Sequence, residues 1–170
     1  QGYYRHQQGY TPDWPGFADF KGEVIHPQHW PENANYQGKR VIVIGSGATA
    51  ATLIPNMARD CAKLTMLQRS PAYFNHARNI NALADELRRL EIDDSWIHEI
   101  VRRKVVRDRA DFAALAQANP QKVRDDLING VRASLGPDFD VDKHFTPRYM
   151  PWQQRVAFVP DGDLFQVIRE

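Results

Sequence analysis

The run Val41-Ile42-Val43-Ile44 leads straight into Gly45-Ser46-Gly47-Ala48-Thr49-Ala50, and no other stretch limits the fold of this chain as much. Four consecutive apolar residues suit a strand buried on both faces, as in a parallel sheet. The G-x-G-x-x-A spacing that follows suits a tight turn into a helix. Gly45 allows the turn, Gly47 lets a phosphate approach the backbone, and Ala50 lets the helix pack closely on the strand. A helix is expected over about 48–59, with Pro55 removing one backbone donor and bending it. Lys63–Leu67 reads as a second strand, which completes a βαβ unit. The residues of the turn, Gly45, Ser46, Gly47, Ala48, Thr49 and Ala50, then surround a helix N-terminus whose free N–H groups and dipole favour a pyrophosphate. A plain tight turn is the alternative. The order strand, glycines, helix, strand favours dinucleotide binding, and with it a Rossmann-type α/β domain.

The end of the second strand bears on which dinucleotide binds. Sites that prefer NAD place an Asp or Glu there for the ribose hydroxyls. Here the chain reads Leu67-Gln68-Arg69-Ser70. Gln68 stands near the acid's position, and Arg69 offers a guanidinium able to grip a 2'-phosphate, with the Ser70 hydroxyl as a further donor. The pattern favours NADPH, against the alternative that Arg69 is an ordinary surface charge.

Residues 79–135 change character, with charged and apolar residues interleaved at helical spacing. Leu83, Leu87 and Leu90 mark one helix. Ile97, Ile100, Val101 and Val105 mark a second with Ser95 as its N-cap, and Val123, Leu127 and Val131 mark a third that Gly136 and Pro137 stop. The basic run Arg102, Arg103, Lys104, Arg107 and Arg109 has acidic neighbours and no interleaved aromatic platform, so a solvated helix face is expected rather than a nucleic-acid contact. Beyond Phe145 the chain returns to loop, around a strand-like Val156–Val159 and a helix start at Asp161–Asp163.

Composition excludes several classes. With 22 Lys and Arg against 21 Asp and Glu, net charge does not argue for nucleic acid or an anionic membrane as partner. Cys61 is the only cysteine, so an internal disulfide and most cysteine-based metal sites are out, in keeping with a reducing cytoplasm. No apolar run approaches the roughly 18 residues of a membrane-spanning helix. The sequence lacks an initiator Met and is expected to be a segment of a longer protein, located in the cytoplasm.

Residues 1–38 show no sustained periodicity and read as irregular, with short extended pieces such as Glu23–Ile25. Within them lies F-x-G-x-x-x-H-x-x-x-W-P, carried by Phe20, Gly22, His26, Trp30 and Pro31. By itself this is an extended loop whose rings pack on a neighbouring surface. Followed closely by G-x-G-x-x-A, it resembles the Baeyer-Villiger monooxygenases and their flavin-containing monooxygenase relatives. Segments such as GYTPDWPGFADFKGEVIHPQHWP, TMLQRSP and HFTPRYMPWQQRVAFVPDGDLF extend the resemblance over most of the chain.

The resemblance implies a two-dinucleotide flavoprotein. FAD is reduced by hydride from NADPH, and one atom of dioxygen then reaches a ketone or a soft heteroatom. It implies that residues 1–38 are a linker from an FAD domain, that 39–78 and 137–170 are parts of an NADPH-binding domain, and that 79–136 are a helical insertion. His26 would serve cofactor positioning and domain movement within the catalytic cycle. Arg155, in Pro-Trp-Gln-Gln-Arg, would be the active-site arginine, although Gln154 stands where the family usually has Lys. Its alternative is a structural arginine tied to a carboxylate such as Asp161. Trp30 favours the ketone-oxygenating subclass. The N- or S-oxygenating enzymes, and a nucleotide-binding module without oxygenation chemistry, are the rival readings. Most of the FAD site is expected outside this segment.

Overall fold

The structure, a computed structural model, describes residues 9–170. The first eight residues of the expected linker lie outside the described residues. Ten helices and strands follow the connector: β1 (Arg40–Ile44), α1 (Ala48–Met57), β2 (Lys63–Leu67), β3 (Tyr73–Ala77), α2 (Ala82–Arg89), α3 (Asp94–Ala118), α4 (Pro120–Leu135), α5 (Val141–Phe145), β4 (Val156–Pro160) and α6 (Asp163–Arg169). The connector holds two single-turn 3-10 helices, Phe17–Asp19 and Pro27–His29. Glu23–Ile25 is not paired into a strand.

β1 and β2 pair in parallel with Ile44 opposite Leu67, and α1 crosses between them as the βαβ reading expected. α1 runs through Pro55. Nearby side chains bond back onto its carbonyls, Thr52 Oγ1 to Ala48 O at 3.0 Å and Asn56 Nδ2 to Thr52 O at 2.7 Å. The expectation that β1 is buried on both faces does not hold within this chain. Val41 and Val43 turn inward, whereas Ile42, Ile44 and Leu67 are 60, 57 and 53 % exposed. Parallel strands need cover on both sides, and among the described residues only one side of β1 and β2 receives it.

The core instead centres on a second parallel pair, β3 with β4, in register Tyr73 to Val156 and Ala77 to Pro160. β3 is not legible as a strand from its sequence, since Asn75 and His76 interrupt the apolar pattern. It becomes one through its distant partner. Val123, Leu127, Ile128, Val131 and Leu135 of α4 form one buried stripe that packs over β3. The same core takes in Ala50, Ala51 and Ile54 of α1, Val141 and Phe145 of α5, and Leu164 and Phe165 of α6. Phe74, Phe145 and Phe165 make a ring triangle with centroids 5.5–6.1 Å apart, edge to face, the geometry that aromatic quadrupoles prefer.

The helix ends follow local chemistry. The N-cap of α3 is Asp93 rather than Ser95, because the Asp93 carboxylate accepts from the Ser95 N–H and hydroxyl and a carboxylate is favoured at the positive end of a helix. Asn81 caps α2 by accepting from Ala84 N, and Gly136 ends α4 at φ 87°. α5, a single turn, was not expected. It forms because Asp140 accepts from Lys143 N while Val141 and Phe145 turn into the core. Along α3 the basic run is matched by acids one turn away, Arg103 to Glu99 at 2.7 Å, Lys104 to Asp108 at 2.5 Å and Arg107 to Asp111 at 3.0 Å, all exposed. Such pairs contribute a few tenths of a kcal/mol each and keep this face solvated. No helix among the described residues is long and apolar enough to cross a membrane.

Phe165 is 1 % exposed at one corner of the ring triangle, whereas Phe158, on the other side of β4, is 47 % exposed. Phe165→Ala is therefore expected to cost about 3–5 kcal/mol of stability and Phe158→Ala less than about 1 kcal/mol. Denaturant unfolding of the two variants checks the difference.

Candidate functional site

The glycine turn sits at the carboxyl end of β1, where it is held by a backbone bond from Gly45 N to Leu67 O at 2.8 Å. Gly45 has φ 119°, a conformation that side chains strain to adopt, so glycine is required there for the turn itself. Gly47 is the N-cap of α1, in extended conformation and without a side-chain cap, and the first bond of the helix runs from Ala51 N to Gly47 O. The N–H groups of Ala48, Thr49 and Ala50 are thus left without intrahelical partners. A methyl group added at Gly47 would meet no heavy atom within 4 Å. The space beside the turn is open, and Ala50, 5 % exposed, is small where α1 closes on the core. Open backbone donors, an open approach and a helix N-terminus fit an anionic phosphate group.

Because β1 and β2 are parallel and in register, the segment after Leu67 emerges at the same sheet edge as the turn. Arg69 and Ser70 are exposed there, and Arg69 has no carboxylate partner among the described residues. An unpaired guanidinium and a hydroxyl at this edge suit a second phosphate. Gln68 points elsewhere. Its Nε2 donates to the His144 carbonyl of α5 at 2.6 Å, and its Oε1 is buried without a partner among the described residues. Gln68 therefore joins β2 to α5, a role that nothing in its sequence neighbourhood announces.

The connector residues are arranged ring against backbone. The Phe20 ring lies over Gly22 so closely that a Cβ there would come within 2.5 Å of it. His26 Nδ1 accepts from Gln28 N at 3.2 Å and opens the second 3-10 turn, while its ring lies against Gly9, where a Cβ would fall 2.0 Å from the imidazole. Trp30 meets Tyr36 edge to face at 6.3 Å, and the Pro31 carbonyl accepts from Ala34 N. Gly22 and Gly9 are thus small because rings occupy the space their side chains would need. Gly9 and Tyr36 were not singled out from sequence; a glycine before an aromatic-rich stretch was the only signal for the first.

Arg155 is exposed and lies on the loop that leads into β4, on a different segment from His26. Asp161, the carboxylate considered as its structural tie, accepts from Asn79 N at 3.0 Å through Oδ1. Its backbone has φ 51° at the turn into α6. Cys61 is half-buried, and burial with the neighbouring Asp60 charge pushes its thiol pKa up, which disfavours the thiolate a nucleophile requires.

Residues 2–80 match the family model described as flavin-binding monooxygenase-like. Over 99 % of its length the chain is 46 % identical to a probable FAD-binding monooxygenase AlmA of an Acinetobacter species. Over the same share it is 43 % identical to the FAD-containing monooxygenase EthA of Mycolicibacterium smegmatis. In both cases it spans 34 % of the relative, about a third of the length of the curated proteins it matches. In three dimensions it superimposes on an oxidized steroid monooxygenase bound to NADP with a TM-score of 0.67 at 22 % identity, covering 95 % of this chain and 37 % of that one. A cyclohexanone monooxygenase of Rhodococcus bound to NADP+ gives 0.62 at 19 % identity, covering 95 % and 36 %. These structures share the α/β fold, and in sequence the chain is similar to the flavin-binding monooxygenase-like family over residues 2–80.

Proposed function

We propose that this chain is the NADPH-binding segment of an FAD-dependent monooxygenase that inserts one oxygen atom of dioxygen into a ketone. The observation that carries the reading is the shared sheet edge: the open helix N-terminus after Gly47 and the unpaired Arg69 emerge there together, which suits a dinucleotide with an extra phosphate. The N–H groups of Ala48, Thr49 and Ala50 hold the pyrophosphate, with Gly45 and Gly47 shaping the turn and Ser46 within it. Arg69 and Ser70 bind the 2'-phosphate. When bound, FAD supplies the redox chemistry: it takes hydride from NADPH and activates dioxygen.

The chain's own residues then position and stabilise. In this reading residues 1–38 link an FAD domain to the NADPH-binding parts 39–78 and 137–170, with 79–136 as a helical insertion. His26, set between Gly9 and the turn that it caps, holds the linker in the shape that domain movement requires. Phe20, Gly22, Trp30 and Pro31 fix the rest of that shape. Arg155 provides a positive charge where negative charge develops on oxygen during ketone attack. The co-substrates are dioxygen and a small ketone. Oxygenation of nitrogen or sulfur is the second reading. The relatives above 40 % identity are compatible with either, since their names specify only an FAD monooxygenase, while the two structures described above fall at or below 22 %.

In the full-length enzyme, Arg69→Ala is expected to weaken NADPH by about 1.5–3 kcal/mol, the range of a hydrogen bond to a charged group, and to leave NADH nearly unaffected. Steady-state kinetics with both cofactors checks this, and equal losses would remove Arg69 from the 2'-phosphate site. Supplied with NADPH, the enzyme is expected to convert a cyclic ketone to its lactone faster than a thioether to its sulfoxide. Arg155→Ala is expected to retain FAD and hydride uptake while product formation falls and hydrogen peroxide rises. Preferential sulfoxidation would establish the second reading. Normal ketone oxygenation by Arg155→Ala would make Arg155 structural.

A further inference from the structure

The loop that carries Arg155 is held at both ends by one residue. Tyr73 opens β3 and is the register partner of Val156, the residue that follows Arg155. Its side chain reaches back to the other end of the loop, where the phenolic O–H donates to the Tyr149 carbonyl at 2.5 Å and the two rings meet edge to face at 5.3 Å. Tyr73 is 1 % exposed and Tyr149 half-buried, so this bond is partly shielded from water and losing it costs more than at the surface. The Arg124 guanidinium of α4 lies beside the same hydroxyl. Burial raises the pKa of that hydroxyl, with Arg124 pulling the other way, and the group remains a donor near neutral pH.

Between these two anchors the loop is itself closed. Gln153 N donates to Met150 O at 3.1 Å, and the Gln153 Oε1 accepts from Met150 N at 2.8 Å, so one residue closes the turn with its backbone and its side chain. Trp152 takes φ 68° within the turn and lays its ring edge to face on Phe112 of α3 at 5.7 Å, and Pro151 is buried. The 150–155 loop is therefore a tied excursion from the core, and Arg155 is its last residue before the sheet.

We propose that Tyr73 is a positioning residue for Arg155: by pairing with Val156 through its backbone and with Tyr149 through its hydroxyl, it fixes both ends of the loop and so the place of the guanidinium. This rests on the role assigned to Arg155 above. Tyr73 touches no reacting atom in this scheme. It acts through loop rigidity, which removes the entropy cost of ordering a long charged side chain in the reacting complex.

The test is Tyr73→Phe in the full-length FAD-bound enzyme, a change that keeps the ring and removes only the hydroxyl. Amide hydrogen exchange of the 149–155 peptide is expected to quicken about tenfold, the worth of roughly one buried hydrogen bond, with Arg40–Ile44 unchanged. The KM for NADPH is expected to stay within about twofold, because that site lies on the other strand pair. The share of NADPH that yields product is expected to fall several-fold, with hydrogen peroxide making up the difference. Unchanged exchange would overturn the latch. Faster exchange with an unchanged product share would overturn the link to Arg155.

Gln153→Ala opens the same turn from the solvent side and carries the test if Tyr73→Phe does not fold: faster exchange with product loss supports the proposal, and faster exchange without it overturns the proposal. Arg155→Ala measured alongside separates the two claims. If it oxygenates normally, the assignment of Arg155 fails whatever the exchange data show, and the positioning role falls with it.

Discussion

The parallel pairing of Tyr73–Ala77 with Val156–Pro160 is the interaction on which the rest of the structure depends. It joins the two sides of the long helical stretch and thereby closes a large loop, at an entropic cost that grows only slowly with loop length. What offsets that cost is the apolar surface gathered around the pair: the stripe of α4 over β3, the ring triangle of Phe74, Phe145 and Phe165, and the inner side of α1. Without this pairing α4 and α6 would have no common surface to cover. α2 depends on it less, since it packs on α3, where Ala84 and Ile97 are buried, whereas α3 also packs on α4 and lends Ala116 to the core.

The same pairing supports the two proposed functional regions in different ways. The glycine turn depends on β1 and β2 and on the N-terminus of α1, and α1 is seated by its contacts with β4 and α6. A phosphate site built on a helix end is only as fixed as that helix, so the β3–β4 core steadies a turn that it does not touch. The Arg155 loop depends on the pairing directly, as its last residue precedes the first paired residue of β4. Under the proposed reading, one layer of packed rings therefore holds both the cofactor turn and the arginine that follows it into the chemistry.

One departure from expectation and one contact that the sequence did not announce have the same physical origin. β1 looked like a strand covered on both faces, yet Ile42 and Ile44 face outward with Leu67 beside them. An apolar run records that both faces of a strand are suited to cover, and it is silent on where the cover comes from. Gln68 stood where an acid would meet a ribose, yet its amide is spent on the His144 carbonyl. Position along a strand decides which sheet edge a residue occupies. The competing partners there, in this case an α5 that forms only in the folded chain, decide where its side chain turns.

What the sequence determined by itself is the part set by a few adjacent residues. The positive φ at Gly45, the uncapped helix start at Gly47, the strands on either side, and the three helices of 79–135 were legible, because backbone sterics and helical periodicity act over one or two turns of chain. The tertiary structure alone decided that Tyr73–Ala77 is a strand, that Val141–Phe145 is a helical turn, and that Tyr73 holds the carbonyl of Tyr149. Each of these is fixed by a partner or a core surface far away in sequence, and no local pattern of apolar and polar residues encodes a hydrogen bond whose two ends meet only after the core has closed.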